Sequence, residues 1–253
     1  MNLYDAIFVR QSVRSFQLEP IEQRLLNNIM NFANHLESLD DSLEVKYEII
    51  DKVTEQEKHN GSLWIKAPYY FVLYSKIGEN YLMNAGYLLE HICLYMTTKG
   101  LATCFMQNVG SIKKHEGYEP VLQIAFGKSN KNIYREAKKV KRLKLNEICI
   151  FKEEVCKEVQ EILNAARMAP SSLNSQPWRL IVYDNRIHLF CRKEVIAFKK
   201  MKALHEIDMG IILANLCIGA EEMWLLSELM KSENILERHF RKNEYVATLK
   251  LMR

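Results

Sequence analysis

The chain has 253 residues, of which 48% are hydrophobic and 26% are charged, and its formal net charge at pH 7 is +4. This composition is ordinary for a globular protein, and the length suits one large domain or two fused lobes. The charge is too small to favour nucleic acid as a partner, and no apolar run approaches the roughly 18 residues that cross a membrane. Six cysteines without metal-ligand spacing and an N-terminus without signal-peptide character indicate a cytoplasmic protein.

The pattern of apolar residues predicts an α+β protein. Helical periodicity occurs near residues 21–36 and 153–168, while the longer segments 81–98 and 206–224 are apolar on most sides. Short apolar runs bounded by turn residues predict strands. The predicted strands are residues 45–50, 69–74, 121–126, 178–183, 186–191 and 245–251.

Parts of the sequence repeat. Residues 86–94 align with residues 210–218 at an offset of 124, and residues 29–33 align with residues 162–166 at an offset of 133. Two matching blocks in the same order favour an internal duplication, with chance similarity between amphipathic helices as the alternative. We therefore predict two lobes, residues 1–145 and 146–253.

Near the N-terminus, residues 10–16 read Arg-Gln-Ser-Val-Arg-Ser-Phe. Arg10 and Arg14, with Ser12 between them, offer two guanidinium groups and a hydroxyl, which are donors suited to a phosphate. A plain pair of surface arginines is the alternative.

Basic residues concentrate in the segment 128–144. They are Lys128, Lys131, Arg135, Lys138, Lys139, Lys141, Arg142 and Lys144. A solvated surface explains such a run, and a phosphate-binding segment is the sharper interpretation. A nucleic-acid contact is disfavoured because only Tyr134 supplies an aromatic ring for stacking.

Residues 169–178 read Ala-Pro-Ser-Ser-Leu-Asn-Ser-Gln-Pro-Trp, between a predicted helix and a predicted strand. Pro170 and Pro177 fix φ, while the serines and Asn174 offer hydroxyl and amide groups. A rigid polar loop of this kind usually binds a polar ligand. The alternative is a simple turn after the helix.

These segments resemble the signatures of nitroreductase-like flavoenzymes. The loop resembles Pro-Ser-Ser-x-Asn-x-Gln-Pro-Trp, residues 10–16 resemble Arg-x-Ser-x-Arg-x-Phe, and residues 100–104, Gly-Leu-Ala-Thr-Cys, resemble Gly-Leu-Gly-Thr-Cys. The resemblance implies the nitroreductase-like α+β fold, which is usually a homodimer with two flavin mononucleotide (FMN) sites. This chain is similar to the variety in which both subunits are fused into one pseudo-dimeric polypeptide.

The resemblance also implies one FMN per chain. In place of the loop, the first half has residues 37–42, which include Asp40 and Asp41. In place of the arginine motif, the second half has residues 150–155, which include Glu153 and Glu154. Acidic groups repel a phosphate. One site therefore survives, built from residues 10–14 and 170–178.

The implied site residues divide by the part of FMN that each would contact. Those for the phosphate are Arg10, Ser12, Arg14 and, by a looser match, Arg142. Those for the ribityl chain and the ring are Pro170, Ser171, Ser172 and Asn174. The backbone of Gln107 and Asn108 would approach N5 of the ring, and no metal is expected.

The implied activity transfers electrons from NADH or NADPH through FMN to a small electron-poor acceptor such as a nitroaromatic or a quinone. The redox chemistry belongs to the flavin, so no catalytic side chain is required. The chain would be a monomer or a weak homodimer, with no nucleic-acid or membrane partner. The alternative is a flavin-binding protein without efficient turnover, serving storage, sensing or scaffolding.

Overall fold

The computed structural model describes residues 1–54, 65–106, 115–136, 139–193, 199–236 and 240–253. They form two compact units, Met1–Val140 and Lys141–Arg253. The lobe boundary predicted from the sequence falls a few residues later, after residue 145. Each unit combines helices with its own sheet, which confirms the predicted α+β class.

The described part of the first unit contains three helices and one sheet of four strands. Its elements are α1 (Leu3–Val9), α2 (Gln23–Asn34), β1 (Val45–Asp51), β2 (Tyr69–Ser75), α3 (Tyr81–Thr98), β3 (Ala102–Met106) and β4 (Glu119–Gly127). The strand order is β1-β2-β4-β3, and every pair is antiparallel.

Apolar side chains explain this arrangement. All seven residues of β2 are buried, as the continuous apolar run predicts for a central strand. Helix α3 is buried on most of its surface, whereas α2 buries one face through Leu26, Ile29 and Ala33. Asn2 begins α1 in a capping box with Asp5.

The described part of the second unit contains a sheet of five strands. Its elements are α4 (Leu145–Ile148), β5 (Cys149–Phe151), α5 (Lys157–Arg167), β6 (Trp178–Tyr183), β7 (Arg186–Arg192), α6 (Lys199–Glu222), β8 (Leu226–Met230), α7 (Glu233–Leu236) and β9 (Asn243–Met252). The strand order is β5-β6-β7-β9-β8; β5 pairs parallel with β6, and the other pairs are antiparallel.

Helix α6 contains a long apolar segment. Its portion Met201–Glu222 is long and apolar enough to cross a membrane, contrary to our expectation that no segment is. However, 78% of its most apolar window is buried inside the structure. It therefore has the burial of a core helix.

Apart from α1 in the first unit and α4, β5 and α7 in the second, the two units share one order of elements: helix, two strands, helix, two strands. The sheet order β1-β2-β4-β3 also matches β6-β7-β9-β8, with β5 added at the edge of the second sheet. Both sequence blocks that repeat lie on corresponding helices, α2 with α5 and α3 with α6. This likeness supports the predicted duplication, which stays a prediction.

Some boundaries differ from those predicted. Helix α5 begins at Lys157 rather than near residue 153. Asp184 accepts a hydrogen bond from the Cys156 N–H, and Glu153 accepts one from the Asp184 N–H. These bonds hold the preceding residues out of the helix. Helix α6 begins at Lys199, earlier than predicted. Helix α1 and strands β3, β5 and β8 were not anticipated by periodicity, since each is short.

Candidate functional site

The polar loop between α5 and β6 in the second unit has an unusual backbone. Leu173, Asn174 and Gln176 have φ angles of 53°, 56° and 47°. Non-glycine residues adopt this left-handed conformation at a free-energy cost, so a cluster of three marks a functional segment more often than a plain connection. Leu173 is 88% exposed, so its side chain gains almost no burial in return.

Hydrogen bonds within the second unit fix this loop. The Ser171 hydroxyl accepts from the Gln176 backbone N–H at 2.9 Å. The Gln176 side chain in turn accepts from the Leu143 N–H at 2.8 Å and donates to the Asn174 carbonyl at 3.2 Å. Gln176 therefore holds the loop together, and Trp178 is fully buried as a core residue.

Arg142 and Asn174, both predicted site residues, contact each other directly. Nη1 of Arg142 donates to Oδ1 of Asn174 at 2.7 Å, and Nη2 donates to the Met168 carbonyl at 3.3 Å. The Asn174 amide nitrogen also donates to the Lys141 carbonyl at 3.1 Å. The structure thus gives Arg142 a role in positioning the loop, next to the residues predicted to contact the cofactor.

Asp208 on α6 holds the loop by hydrogen bonds, and we did not predict this residue from the sequence. Its Oδ1 accepts from the Ser172 backbone N–H at 2.9 Å and from the Ser172 hydroxyl at 3.2 Å. Asp208 is 1% exposed. Burial raises its pKa to about 7, against the lowering effect of Ser172 and Ser175. An acidic residue directly before the mostly apolar stretch 209–220 of this helix was the signal that could have identified it.

In the first unit, the arginine motif lies beside β3. Arg10 ends helix α1, and the Val13 N–H donates to the Thr103 carbonyl at 2.9 Å. Ser12 and Thr103 form an isolated parallel bridge. Two of the sequence signatures, residues 10–16 and 100–104, are therefore adjacent in space.

The two arginines of this motif differ in exposure. Ser12 and Arg14 are exposed, whereas Arg10 is only 3% exposed. Burial opposes the charge of Arg10, but Cys93, Glu90 and Cys104 more than offset it, so its pKa is raised. Nη1 of Arg10 is buried without a hydrogen-bond partner among the described residues. A buried cationic donor of this kind suits an anion.

Cys104 lies among the predicted phosphate-binding residues. Arg14 and Arg10, although distant from Cys104 in sequence, lie close enough to favour its thiolate, and Ser12 contacts the thiol. Burial outweighs these effects and raises the pKa of Cys104. The group is therefore a neutral thiol at pH 7, and reactive cysteines are thiolates.

The basic segment contributes structural contacts as well as charge. Arg135 donates to the carbonyls of Phe8 at 3.2 Å and Ile7 at 2.9 Å, at the C-terminal end of α1, where a cation is favoured. Lys139 pairs with Glu136 at 2.9 Å on the surface. Gln107 and Asn108, predicted to approach N5 of the flavin, and Lys138 lie outside the described residues.

The sequence matches a protein-family model described as "Putative TM nitroreductase" over residues 2–220. No curated protein matches the chain.

Solved structures with a similar fold include "a putative nitroreductase" from Thermotoga maritima, with 22% identity and a TM-score of 0.66 over 99% of this chain and 94% of that one. A nitroreductase family protein from Clostridium difficile is 16% identical over 61% of this chain and 100% of that chain, with a TM-score of 0.47. A nitroreductase with bound FMN from Bacteroides fragilis is 16% identical over 57% of this chain and 100% of that chain, with a TM-score of 0.42.

Proposed function

Because the chain belongs to the nitroreductase family whose model covers residues 2–220, we propose that it is an FMN-dependent oxidoreductase that takes electrons from NADH or NADPH. The acceptor would be a small electron-poor molecule such as a nitroaromatic or a quinone. The observation that carries this proposal is the strained polar loop, which is held by the protein's own hydrogen bonds to Asp208 and Arg142. Such preorganisation lowers the entropic cost of binding.

In the first unit, we assign Ser12 and Arg14 to the FMN phosphate as its exposed donors. Arg10 would add positive charge and the donor Nη1, which has no partner among the described residues. Together these groups match the chemistry of a dianionic phosphate, which prefers forked guanidinium donors. The donor set therefore fits the group that the family implies.

In the second unit, we assign Pro170, Ser171, Ser172 and Asn174 to the ribityl chain and the edge of the ring. The Ser171 oxygen accepts from Gln176, so its hydroxyl proton is still able to donate to a ligand. One hydrogen of the Asn174 amide bonds to Lys141, and the second can bond to a ligand. Arg142 would act by holding Asn174 in place, rather than by touching the phosphate itself.

When bound, FMN supplies the redox chemistry, accepting electrons from a nicotinamide and passing them to the acceptor. The protein's part is to bind and orient, and the backbone of Gln107 and Asn108 remains our assignment for the contact near N5. We further propose one FMN per chain, since each half lacks one of the two signatures. A cytoplasmic monomer or weak homodimer also remains our expectation.

The test of the site is FMN retention in Arg14→Ala. Because Arg14 is exposed, the variant should fold normally, and loss of one charged contact should weaken FMN binding about tenfold or more. Arg24→Ala removes an exposed arginine of α2 and is the matched control. Equal FMN retention in both variants would remove Arg14 from the site.

Two measurements on the purified protein test the remaining parts of the proposal. We expect about one FMN per polypeptide, and a ratio near two would contradict the single site. Anaerobic addition of NADH or NADPH should bleach the flavin absorbance, and the acceptor should restore it. A yellow protein that neither nicotinamide bleaches would establish the alternative, a flavin-binding protein without turnover.

A further inference from the structure

A cavity of about 1330 Å³ lies within the second unit, apart from the polar loop. It spans the beginning of β6, the end of β7, the beginning of β9 and the neighbouring strand β5. Ligand pockets in proteins commonly measure about 300–1,000 Å³, so this one has room for a molecule larger than a single ring.

The described lining of the cavity is strongly cationic. Its basic residues are Arg179, Arg192, Lys193, Arg241 and Lys242, and its acidic residue is Glu147. Arg192, Arg241 and Lys242 are exposed, and their side chains make no hydrogen bond or ion pair with any described residue. A concave surface with one sign of charge concentrates ligands of the opposite sign.

The charge is held in place by the fold rather than by mobile surface chains alone. Arg179 donates to the carbonyls of Gln176 and Trp178, and Lys193 donates to the Phe240 carbonyl at 2.9 Å. Burial, and after it the charge of Arg192, lowers the pKa of Arg179. Neighbouring cations repel each other, and an anion that binds between them reduces this repulsion.

The floor of the same cavity is apolar. Ile150 is 59% exposed, and its strand partner Ile181 also lines the cavity. Phe190 pairs with Arg179 across the sheet and contacts the ring of Phe240 at a centroid distance of 4.9 Å. An apolar floor and a cationic rim together suit a ligand that has a ring, or another apolar part, and an anionic end.

We propose that this cavity binds a phosphorylated small molecule with a ring system, of the chemical class of a nucleoside phosphate. The arginines of the rim favour phosphate over other anions, because a guanidinium donates two parallel hydrogen bonds to phosphate oxygens. Ile150, Ile181 and Phe190 contact the ring system. This inference is independent of the FMN assignment.

The direct test is calorimetric titration of the full-length protein, as purified, with ADP, inorganic pyrophosphate and adenosine. ADP carries both parts of the proposed ligand and should bind one to one. Pyrophosphate, which lacks the ring, should bind more weakly than ADP, and adenosine, which lacks the phosphates, should not bind. No binding of ADP or pyrophosphate would overturn the proposal, and equal affinity for the two would remove the apolar floor from it.

The matched variants locate the binding. Arg192→Ala/Arg241→Ala removes two exposed rim cations that have no partner among the described residues, so it should fold normally and weaken ADP binding about tenfold or more. Lys202→Ala/Lys250→Ala removes the same charge from exposed positions of this unit outside the cavity. Equal losses in both pairs would mean diffuse charge attraction, which also overturns the proposal. Arg14→Ala should bind ADP like the unaltered protein, so failure here and failure at the FMN site are distinguishable.

Discussion

The two units share a core order of helices and strands, yet their corresponding loops have different properties. After α2, residues 37–42 form an ordinary turn in which Asp40 accepts from the Ser42 N–H at 2.9 Å. None of these six described residues has a positive φ. After α5, the corresponding loop concentrates three left-handed residues. The shared fold therefore does not require the strain, which is specific to the loop of the second unit.

The long helices repeat one hydrogen bond with different side chains. Asn84 on α3 and Asp208 on α6 correspond at the offset of 124, and both are buried. Oδ1 of Asn84 accepts from the Leu39 N–H at 2.9 Å, and Oδ1 of Asp208 accepts from the Ser172 N–H at 2.9 Å. Both units therefore have this hydrogen bond, but only in the second unit is the acceptor an ionisable side chain.

The largest expected effect concerns the buried arginine of the first unit. Arg10→Ala should lower the free energy of unfolding by about 3–5 kcal/mol, because it leaves the buried Glu90 without its nearby cation. Urea unfolding of the variant measures this loss. Arg24→Ala, on the surface of the same unit, should change stability by less than about 0.5 kcal/mol. If Arg10→Ala has the same free energy of unfolding as the wild type, the buried charge of Arg10 does not contribute to stability.

The second prediction tests the carboxyl of Asp208 against the amide of Asn84. The pKa of Asp208 is raised from 3.8 to about 7, so the folded state holds a proton that the unfolded state releases. Its contribution is complete below pH 3.8 and is lost as the pH rises towards 7. Between pH 5 and pH 8 the loss is on the order of 2–3 kcal/mol.

Asp208→Asn should remove this pH dependence, since Asn84 shows that the architecture accepts an amide at the corresponding place. The measurement is urea unfolding at several pH values, with the variant gaining on the wild type as the pH rises. Parallel stability curves for the two proteins would mean that Asp208 titrates normally.

The smallest effect concerns the strain in the loop. Leu173→Gly should stabilise the protein by up to about 1 kcal/mol, because relief of the left-handed backbone is partly offset by the greater freedom of glycine in the unfolded chain. Leu18→Gly, at another exposed leucine with ordinary φ, should give no gain. If the strain serves FMN binding, Leu173→Gly should also retain less FMN. A stabilised variant with full FMN retention would separate the strain from function.

Much of the fold followed from the sequence because the signals were local. Helix α3 has its predicted bounds, since a long segment that is apolar on most sides has few other uses. Strand β2 and the hairpin through residues 184 and 185 were equally local and are confirmed. The nitroreductase-like fold itself is confirmed by the family match and by the Thermotoga maritima structure.

The sequence indicated candidate site residues but not how they are arranged. The composition of the loop indicated a polar ligand site, but its left-handed residues depend on bonds to Arg142 and Asp208, which are distant in sequence. The burial of Arg10 and the arginines around Cys104 likewise arise from pairing between the N-terminal segment and β3. Long-range contacts of this kind have no signature in a single sequence.

The end of helix α1 sets an order of events for a nascent chain. The carbonyls of Ile7 and Phe8 are capped by Arg135, and the Arg10 motif lies along β3, so the first helix depends on segments made more than ninety residues later. During synthesis, domains generally fold as units. Arg10 and Arg14 therefore reach their final positions only after almost the whole first half of the polypeptide has been synthesised.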